Sequence, residues 1–136
     1  KVLVENGIVP GNGYVVRDFL TATELADALA LATVVLSRAG AGSIAELAAT
    51  KKATILVPLL GAANDERRMN AYDVAGIGGA IVIEEPNLGE HLLTQKIIEL
   101  VNQPELRQSM GEKLSAFHHP DAAEAIASGI RSIIVR

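Results

Sequence analysis

The hydrophobic residues of this chain fall into short continuous runs that alternate with segments of helical spacing. The runs predict strands over 15–20, 33–36, 54–57 and 80–83, each bounded by glycine, proline or polar residues. Between them, apolar positions three and four apart predict helices over 21–31, over 43–50 and from 64 to about 76. Apolar strands separated by helices are typical of a parallel sheet covered on both faces. We therefore expect a Rossmann-like α/β fold.

Three further helices are predicted after the last strand. The first carries Leu93, Ile97 and Leu100 at helical spacing, Pro104 opens the second, and Asp121 caps the third. Such a sheet does not require them, so we interpret 104–136 as a terminal helical appendage on one domain over 1–136. Because the chain opens in mid-pattern and without methionine, we expect this domain to be part of a longer protein.

Composition narrows the class of protein. Hydrophobic residues make up 49% of the 136 residues and aromatic residues only 3%, which predicts an aliphatic core. The net charge of −4 argues against a nucleic-acid-binding domain, which usually carries a basic face. Cysteine is absent, which excludes disulfides and thiolate metal sites. No signal-peptide pattern or membrane-spanning run is evident, so we expect a cytoplasmic location, with peripheral contact at the inner face of the membrane left open.

The stretch SRAGAGSIAE, over 37–46, joins a predicted strand directly to a predicted helix. Gly40 and Gly42 let the backbone approach an anion, and the N–H groups and dipole at a helix start favour negative charge. We therefore predict a phosphate-binding turn. The run GAGSIA, over 40–45, also fits a dinucleotide fingerprint, but a NAD site requires an acidic residue after the following strand. That strand is followed by Pro58, Leu59 and Leu60, which weakens the NAD interpretation.

Two interpretations of Ser43 and Glu46 stay open. Their S-x-x-E spacing is that of a capping box, which stabilises a helix by about 1 kcal/mol and needs no ligand. The glycines at 40 and 42 lie where a phosphate would approach, and they favour ligand contact instead.

A second polar cluster, NDERRMN over 64–70, follows the third predicted strand at its carboxyl end, where open α/β sheets bind ligands. Asn64 suits a helix cap and the arginines a solvated surface. Asn70 is a poor mid-helix residue without a partner, which favours a ligand contact. Asp65 and Glu66 diverge on a helix, so we expect no metal site. His118 and His119 precede a proline, and we interpret them as an exposed linker.

The stretch SRAGAGSIAEL, over 37–47, resembles the signature of family 28 glycosyltransferases. Further agreement comes from ILVP over 55–58, from Asn70 and Ala71, from the glycine-rich turn before 80–83, and from PDA over 120–122. Order and spacing agree from about Tyr14 to the end of the chain. The nearest members transfer N-acetylglucosamine in peptidoglycan synthesis.

The resemblance implies the carboxy-terminal, donor-binding half of a GT-B enzyme, which holds UDP-N-acetylglucosamine and needs no metal. By position, the expected donor-binding residues are Leu20 at the uracil, Ala41, Gly42 and Ser43 at the sugar and diphosphate, Glu46 at the ribose, and Arg67 and Asn70 at the sugar. The family usually has glutamine at position 67, preceded by histidine or glutamine. Arg67 and Glu66 depart from this pattern, which bears on the choice of donor sugar.

The resemblance also implies what this chain lacks. None of its residues matches the family's proposed base, so we predict no catalytic residue here. A lipid-linked acceptor at the membrane surface would be held by an amino-terminal domain or by a separate subunit. The chain alone is expected to bind UDP weakly and to be inactive. The alternative function is a NAD-type dinucleotide-binding or regulatory Rossmann module without transferase activity.

Overall fold

The structure, a computed structural model, describes residues 13–59, 61 and 65–134. Its sheet has three short strands, β1 (Val35–Ser37), β2 (Thr54–Leu56) and β3 (Ile81–Val82), in the order β1-β2-β3. Both pairs are parallel, with Leu36 opposite Ile55 and Leu56 opposite Val82. The predicted parallel sheet is thus confirmed, with strand ends shifted by one or two residues.

The helices cover the segments in which helical spacing predicts them. They are α1 (Ala22–Leu31), α2 (Ala41–Thr50), α3 (Glu66–Gly76), α4 (Glu90–Asn102), α5 (Pro104–Leu114) and α6 (Ala122–Ile134), with 3-10 turns at Glu85–Asn87 and Ser115–Phe117. Helix α1 begins with a capping box, because the Glu24 N–H donates to Thr21 Oγ1 at 3.4 Å and the Thr21 N–H donates to Glu24 Oε2 at 2.8 Å. The N–H group and the hydroxyl of Thr21 both donate to Glu24 Oε2, each at 2.8 Å, which favours the charged carboxylate and lowers the pKa of Glu24.

The prediction of a strand over 15–20 is wrong. The described residues before α1 contain no strand, and Val15 and Val16 are exposed. An apolar run becomes a strand only where a neighbouring strand accepts its hydrogen bonds. Among the described residues, β1 pairs with β2 alone, and no strand pairs with residues 15–20.

The sheet is covered on both faces, as expected. Side chains alternate along β2, so Ile55 and Leu56 enter different clusters. The first cluster lies between the sheet and α1, α2, α3 and the end of α5, and comprises Leu29, Ala39, Ile44, Leu47, Ala48, Leu56, Ala71, Val74, Ala80 and Leu114. The second faces α4 and α5 and comprises Ile55, Ile83, Leu100 and Met110. The predicted aliphatic core is confirmed in the described residues.

Helix α5 packs very closely against the end of α2. A Cβ atom added to Gly111 would overlap the backbone carbonyl oxygen of Lys51. Lys51 is the C-cap of α2 and has a left-handed backbone, with φ 51°. Only a residue without a side chain therefore fits in α5 at this crossing.

Two cations lie on helix C-termini at the end of the sheet where its strands begin. Lys52 Nζ donates to the Ala30 carbonyl in the last turn of α1, at 2.8 Å. Arg107 Nη1 donates to the Leu100 and Val101 carbonyls near the end of α4, both at 2.6 Å. These contacts satisfy carbonyls that a helix end leaves without intrahelical donors.

A polar cluster joins α3 to the residues after β3. The Tyr72 hydroxyl donates to Glu84 Oε1 at 2.8 Å, and Arg68 Nε donates to the same oxygen at 2.8 Å. The Tyr72 bond, with the Arg68 bond second, lowers the pKa of Glu84, and the same partnership raises the pKa of Tyr72. The contribution of Glu84 to stability is lost as the pH falls from 4.5 through the lowered pKa of its carboxyl group. The contribution of Tyr72 is lost as the pH rises from 10.0 through the raised pKa of its phenol.

Tyr72→Phe is therefore expected to move the pKa of Glu84 upward, toward its ordinary value. A carboxyl-carbon NMR titration of wild type and variant measures the change. Tyr14→Phe is the matched control, since Tyr14 is exposed and forms no hydrogen bond within the described residues. An unchanged Glu84 titration in Tyr72→Phe would contradict this assignment.

None of the helices in the described ranges is both long and apolar enough to cross a membrane.

Candidate functional site

Helix α2 begins two residues earlier than predicted, which changes the role of Ser43. The N-cap is Gly40, with an extended backbone (φ −72°, ψ 144°), and the Ile44 N–H donates to its carbonyl at 2.9 Å. Ser43 is thus the third residue of the helix and Glu46 the sixth, and no side chain in the described part of the chain caps this terminus. The capping-box interpretation of Ser43 and Glu46 is wrong, because a box needs serine at the N-cap itself.

The start of α2 is an open helix N-terminus. Among the described residues, no group accepts from the N–H groups of Ala41, Gly42 or Ser43. Its first turn contains no acidic residue. An added Cβ on Gly42 would meet nothing within 4 Å, and one on Gly40 would meet only Ser43 Oγ, at 3.9 Å. Three N–H groups at the positive end of a helix dipole, without an acceptor among the described residues, can bind an anion.

The turn is tied to α3 by one of the predicted site residues. Asn70 Nδ2 donates to the Ala39 carbonyl at 3.4 Å, and Ala39 is fully buried. Asn70 therefore has the partner that its mid-helix position requires. Arg67 lies three residues earlier on the same side of α3, is exposed, and forms no ion pair within the described residues. The structure thus brings Arg67 and Asn70 to the side of α3 that faces the turn.

Glu46 lies on the helix face that also carries Gly42, since residues four apart share a face. Its side chain is exposed and forms no hydrogen bond or ion pair within the described residues. A carboxylate one turn beyond three free N–H groups can accept from hydroxyl groups of a ligand that starts at those groups.

Leu20 lies directly before the cap of α1 and is half-buried. The bond from Lys52 to Ala30 holds the end of α1 where the strands begin. Helix α1 is about 15 Å long and packs against α2 through Leu29. Leu20 thus lies beside the end of α1 that is opposite to the one held by Lys52.

A cavity of about 260 Å³ extends from the turn toward the carboxy-terminal part of the chain. Its lining combines Ala41 and Asn70 with Asp73, Phe117 and His119. His118 and His119 are exposed, as predicted, but His119 lies at this cavity although it is remote from the turn in sequence. Packing of Phe117 on the first core cluster brings it there, which no local pattern indicates.

A larger cavity, about 480 Å³, adjoins the first at His119 and runs along the start of α6. It contains Ala122, Ala125 and Ile126 and continues into the exposed isoleucines of that helix. An apolar lining of this kind suits packing against protein rather than binding of a phosphate.

Two cofactor classes can be compared with the described residues. These contain no group of three or more His, Cys, Asp or Glu side chains able to hold a metal ion. Strand β2 runs into Val57, Pro58 and Leu59, which are apolar and mostly buried, so residues 57–59 offer no carboxylate to the ribose of NAD.

Comparison with known proteins agrees with this geometry. A family model described as "Glycosyltransferase family 28 C-terminal domain" matches residues 8–126. The UDP-N-acetylglucosamine--N-acetylmuramyl-(pentapeptide) pyrophosphoryl-undecaprenol N-acetylglucosamine transferase of Chlorobium limicola is 36% identical over 107 residues, 79% of this chain and 29% of that enzyme. The enzyme of the same name from Chlorobium luteolum is 34% identical over 127 residues, 93% of this chain and 34% of that enzyme.

Among solved structures, the crystal structure of Acinetobacter baumannii MurG superimposes with a TM-score of 0.74 and 27% sequence identity. The match covers 84% of this chain and 33% of the MurG chain. The chain therefore spans about a third of the length of the relatives it matches.

Proposed function

The chain belongs to glycosyltransferase family 28, and we propose that it is the donor-binding domain of an inverting N-acetylglucosaminyltransferase. The donor would be UDP-N-acetylglucosamine and the acceptor a lipid-linked sugar of peptidoglycan synthesis, as the names of the relatives suggest. The observation that carries this proposal is the open start of α2, with three N–H groups and no acidic residue in its first turn.

The proposed reaction breaks the bond between the anomeric carbon and the diphosphate oxygen. An acceptor hydroxyl attacks the opposite face of that carbon, loses its proton to a base outside this chain, and UDP leaves with the bonding electrons. The N–H groups of Ala41, Gly42 and Ser43 would stabilise the charge that develops on the diphosphate. This electrostatic role requires no metal ion, although such an ion is the usual alternative.

The remaining contacts follow the length of the donor. Leu20 would meet the uracil through its backbone, and Glu46 would accept from the ribose hydroxyls. Asn70 and Arg67, on the side of α3 toward the turn, would meet the sugar. Arg67 is a cation where the family usually has an amide, so this position bears on the choice of donor sugar.

Binding of the acceptor requires protein beyond this chain. The exposed isoleucines of α6 at 126, 130 and 133 are four and three residues apart and form one apolar face. This face supports packing against an acceptor-binding amino-terminal domain or a separate subunit. A lipid-linked acceptor would place the complex at the inner face of the membrane, on the cytoplasmic side.

Parallel calorimetric titrations of the 136-residue chain with UDP-N-acetylglucosamine, UDP and NAD test the proposal. We expect weak binding of both uridine nucleotides, no heat with NAD, and no sugar transfer by the chain alone. Binding of NAD without a response to UDP would establish the dinucleotide-binding alternative. That alternative is not favoured, because neither the residues after β2 nor the relatives support it.

Replacement of Glu46 by glutamine should weaken UDP binding about tenfold, since a hydrogen bond to a charged group contributes about 1.5–3 kcal/mol. The effect should vanish with 2′,3′-dideoxyuridine diphosphate, which lacks the ribose hydroxyls. Stability should not change, because the side chain takes no part in the helix cap. Equal losses with both nucleotides, or a less stable protein with unchanged affinity, would refute the ribose contact.

A further inference from the structure

Arg38 connects the residues that follow all three strands. It lies directly after β1, and its Nη1 donates to the carbonyl of Val57, after β2, at 3.4 Å. Its Nη2 pairs with Glu85 Oε1, after β3, at 2.9 Å. A guanidinium can make two such contacts at once because its donors form a rigid fork.

These contacts fix the backbone that leads into α2. Only Ala39 separates Arg38 from the N-cap Gly40, and Ala39 is fully buried with its carbonyl bound by Asn70. The segment is therefore held by Arg38 on one side and by α3 on the other. Its orientation determines where the N–H groups of residues 41–43 point.

We propose that Arg38 and Glu85 form a positioning pair for diphosphate binding. The pair holds the turn in its binding orientation before the ligand arrives, and neither side chain contacts the ligand. This inference rests on the proposed function. The side chains of Arg38 and Glu85 are 51% and 38% exposed, so the pair contributes little to global stability and both variants should fold. The pair instead raises the affinity for the ligand, because a turn that is already fixed loses less conformational entropy on binding.

The test compares Arg38→Ala and Glu85→Ala, with dissociation constants measured for UDP and for uridine. Each variant should raise the UDP constant about three- to tenfold through lost preorganisation and leave the uridine constant unchanged. Arg38→Lys should also bind UDP more weakly than wild type, because an ammonium group cannot make the two contacts of the guanidinium fork. Arg68→Ala is the matched control: its pair with Glu84, at 2.8 Å, does not involve the turn, so both constants should stay as in wild type.

The sign of the Glu85→Ala effect separates two roles of Arg38. If Arg38 were a free cation that binds phosphate, loss of Glu85 would strengthen UDP binding, and that result would overturn the proposal. Parallel losses for UDP and uridine, or no loss for UDP, would also overturn it.

A ligand-free measurement makes this test independent of the proposed function. Amide order parameters of residues 41–43 should fall in Arg38→Ala and stay unchanged in Arg68→Ala. If the wild-type chain bound no UDP, the proposed function would fail. The order parameters would still test whether Arg38 and Glu85 position the turn, because unchanged values in Arg38→Ala would exclude that role.

Discussion

Replacement of Gly40 by aspartate is expected to weaken UDP binding about 100-fold and to leave the fold as stable as before. Gly40 is the N-cap of α2 and has the extended backbone in which an aspartate side chain accepts from the first helical N–H groups. Aspartate and glycine at an N-cap differ by only a few tenths of a kcal/mol, so the free energy of unfolding should change by less than about 0.5 kcal/mol. The carboxylate would occupy the donors and repel the diphosphate. A loss of about 3 kcal/mol, or about 100-fold in affinity, follows.

Gly40→Asn is the control that separates these two effects. Asparagine accepts from the same N–H groups but carries no charge, so we expect a loss of only about tenfold. Urea denaturation and calorimetric titration of the three proteins measure stability and affinity side by side. If Gly40→Asp bound UDP as wild type does, the start of α2 would not be the diphosphate site.

Replacement of Gly111 by alanine is the change expected to affect stability most. The new methyl group would overlap the Lys51 carbonyl oxygen, and both the Cβ position and that oxygen are set by backbone. No side-chain rotation relieves the overlap, so α5 or the end of α2 must move. Because Met110 and Leu114 of α5 are buried in the two core clusters, that movement disturbs both faces of the sheet. We expect a loss of about 3 kcal/mol, at the upper end of overpacking effects.

Gly129→Ala in α6 provides the comparison. An added Cβ there meets nothing within 4 Å, so alanine should stabilise the helix by up to about 1 kcal/mol through its higher propensity. Opposite shifts of the urea midpoint in the two variants are therefore expected. Equal midpoints would contradict the close packing of α5 on α2.

Local patterns predict most elements of this fold but not their partners. The runs at 33–36 and 54–57 become β1 and β2 because each finds a parallel neighbour. The run at 15–20 looks similar in sequence and forms no strand, since hydrophobic spacing carries no information about which strand lies beside it. Nor can spacing identify a cap. Thr21 with Glu24 and Ser43 with Glu46 have the same pattern, but only the first pair is a capping box, because the N-cap of α2 is Gly40, three residues before Ser43.

For the site, the glycine turn is predictable because all its parts are contiguous. The membership in family 28 that the same stretch indicates is confirmed by the family match. The contacts that support the turn are not predictable in this way. Arg38 and Glu85 are 47 positions apart, and His119 reaches the cavity only through the packing of Phe117. The individual donor contacts of Leu20, Glu46 and Arg67 stay predictions until a ligand is bound.

The open start of α2 explains how an acidic protein can attract an anion. The net charge of −4 describes the whole molecule at long range, where salt screens it beyond about 10 Å. The attraction of a helix N-terminus for an anion acts only within about one helical turn. A short diphosphate fits inside that radius. An extended polyanion would continue beyond that distance and gain nothing further from the dipole, so the short reach of one helix end favours a short anion.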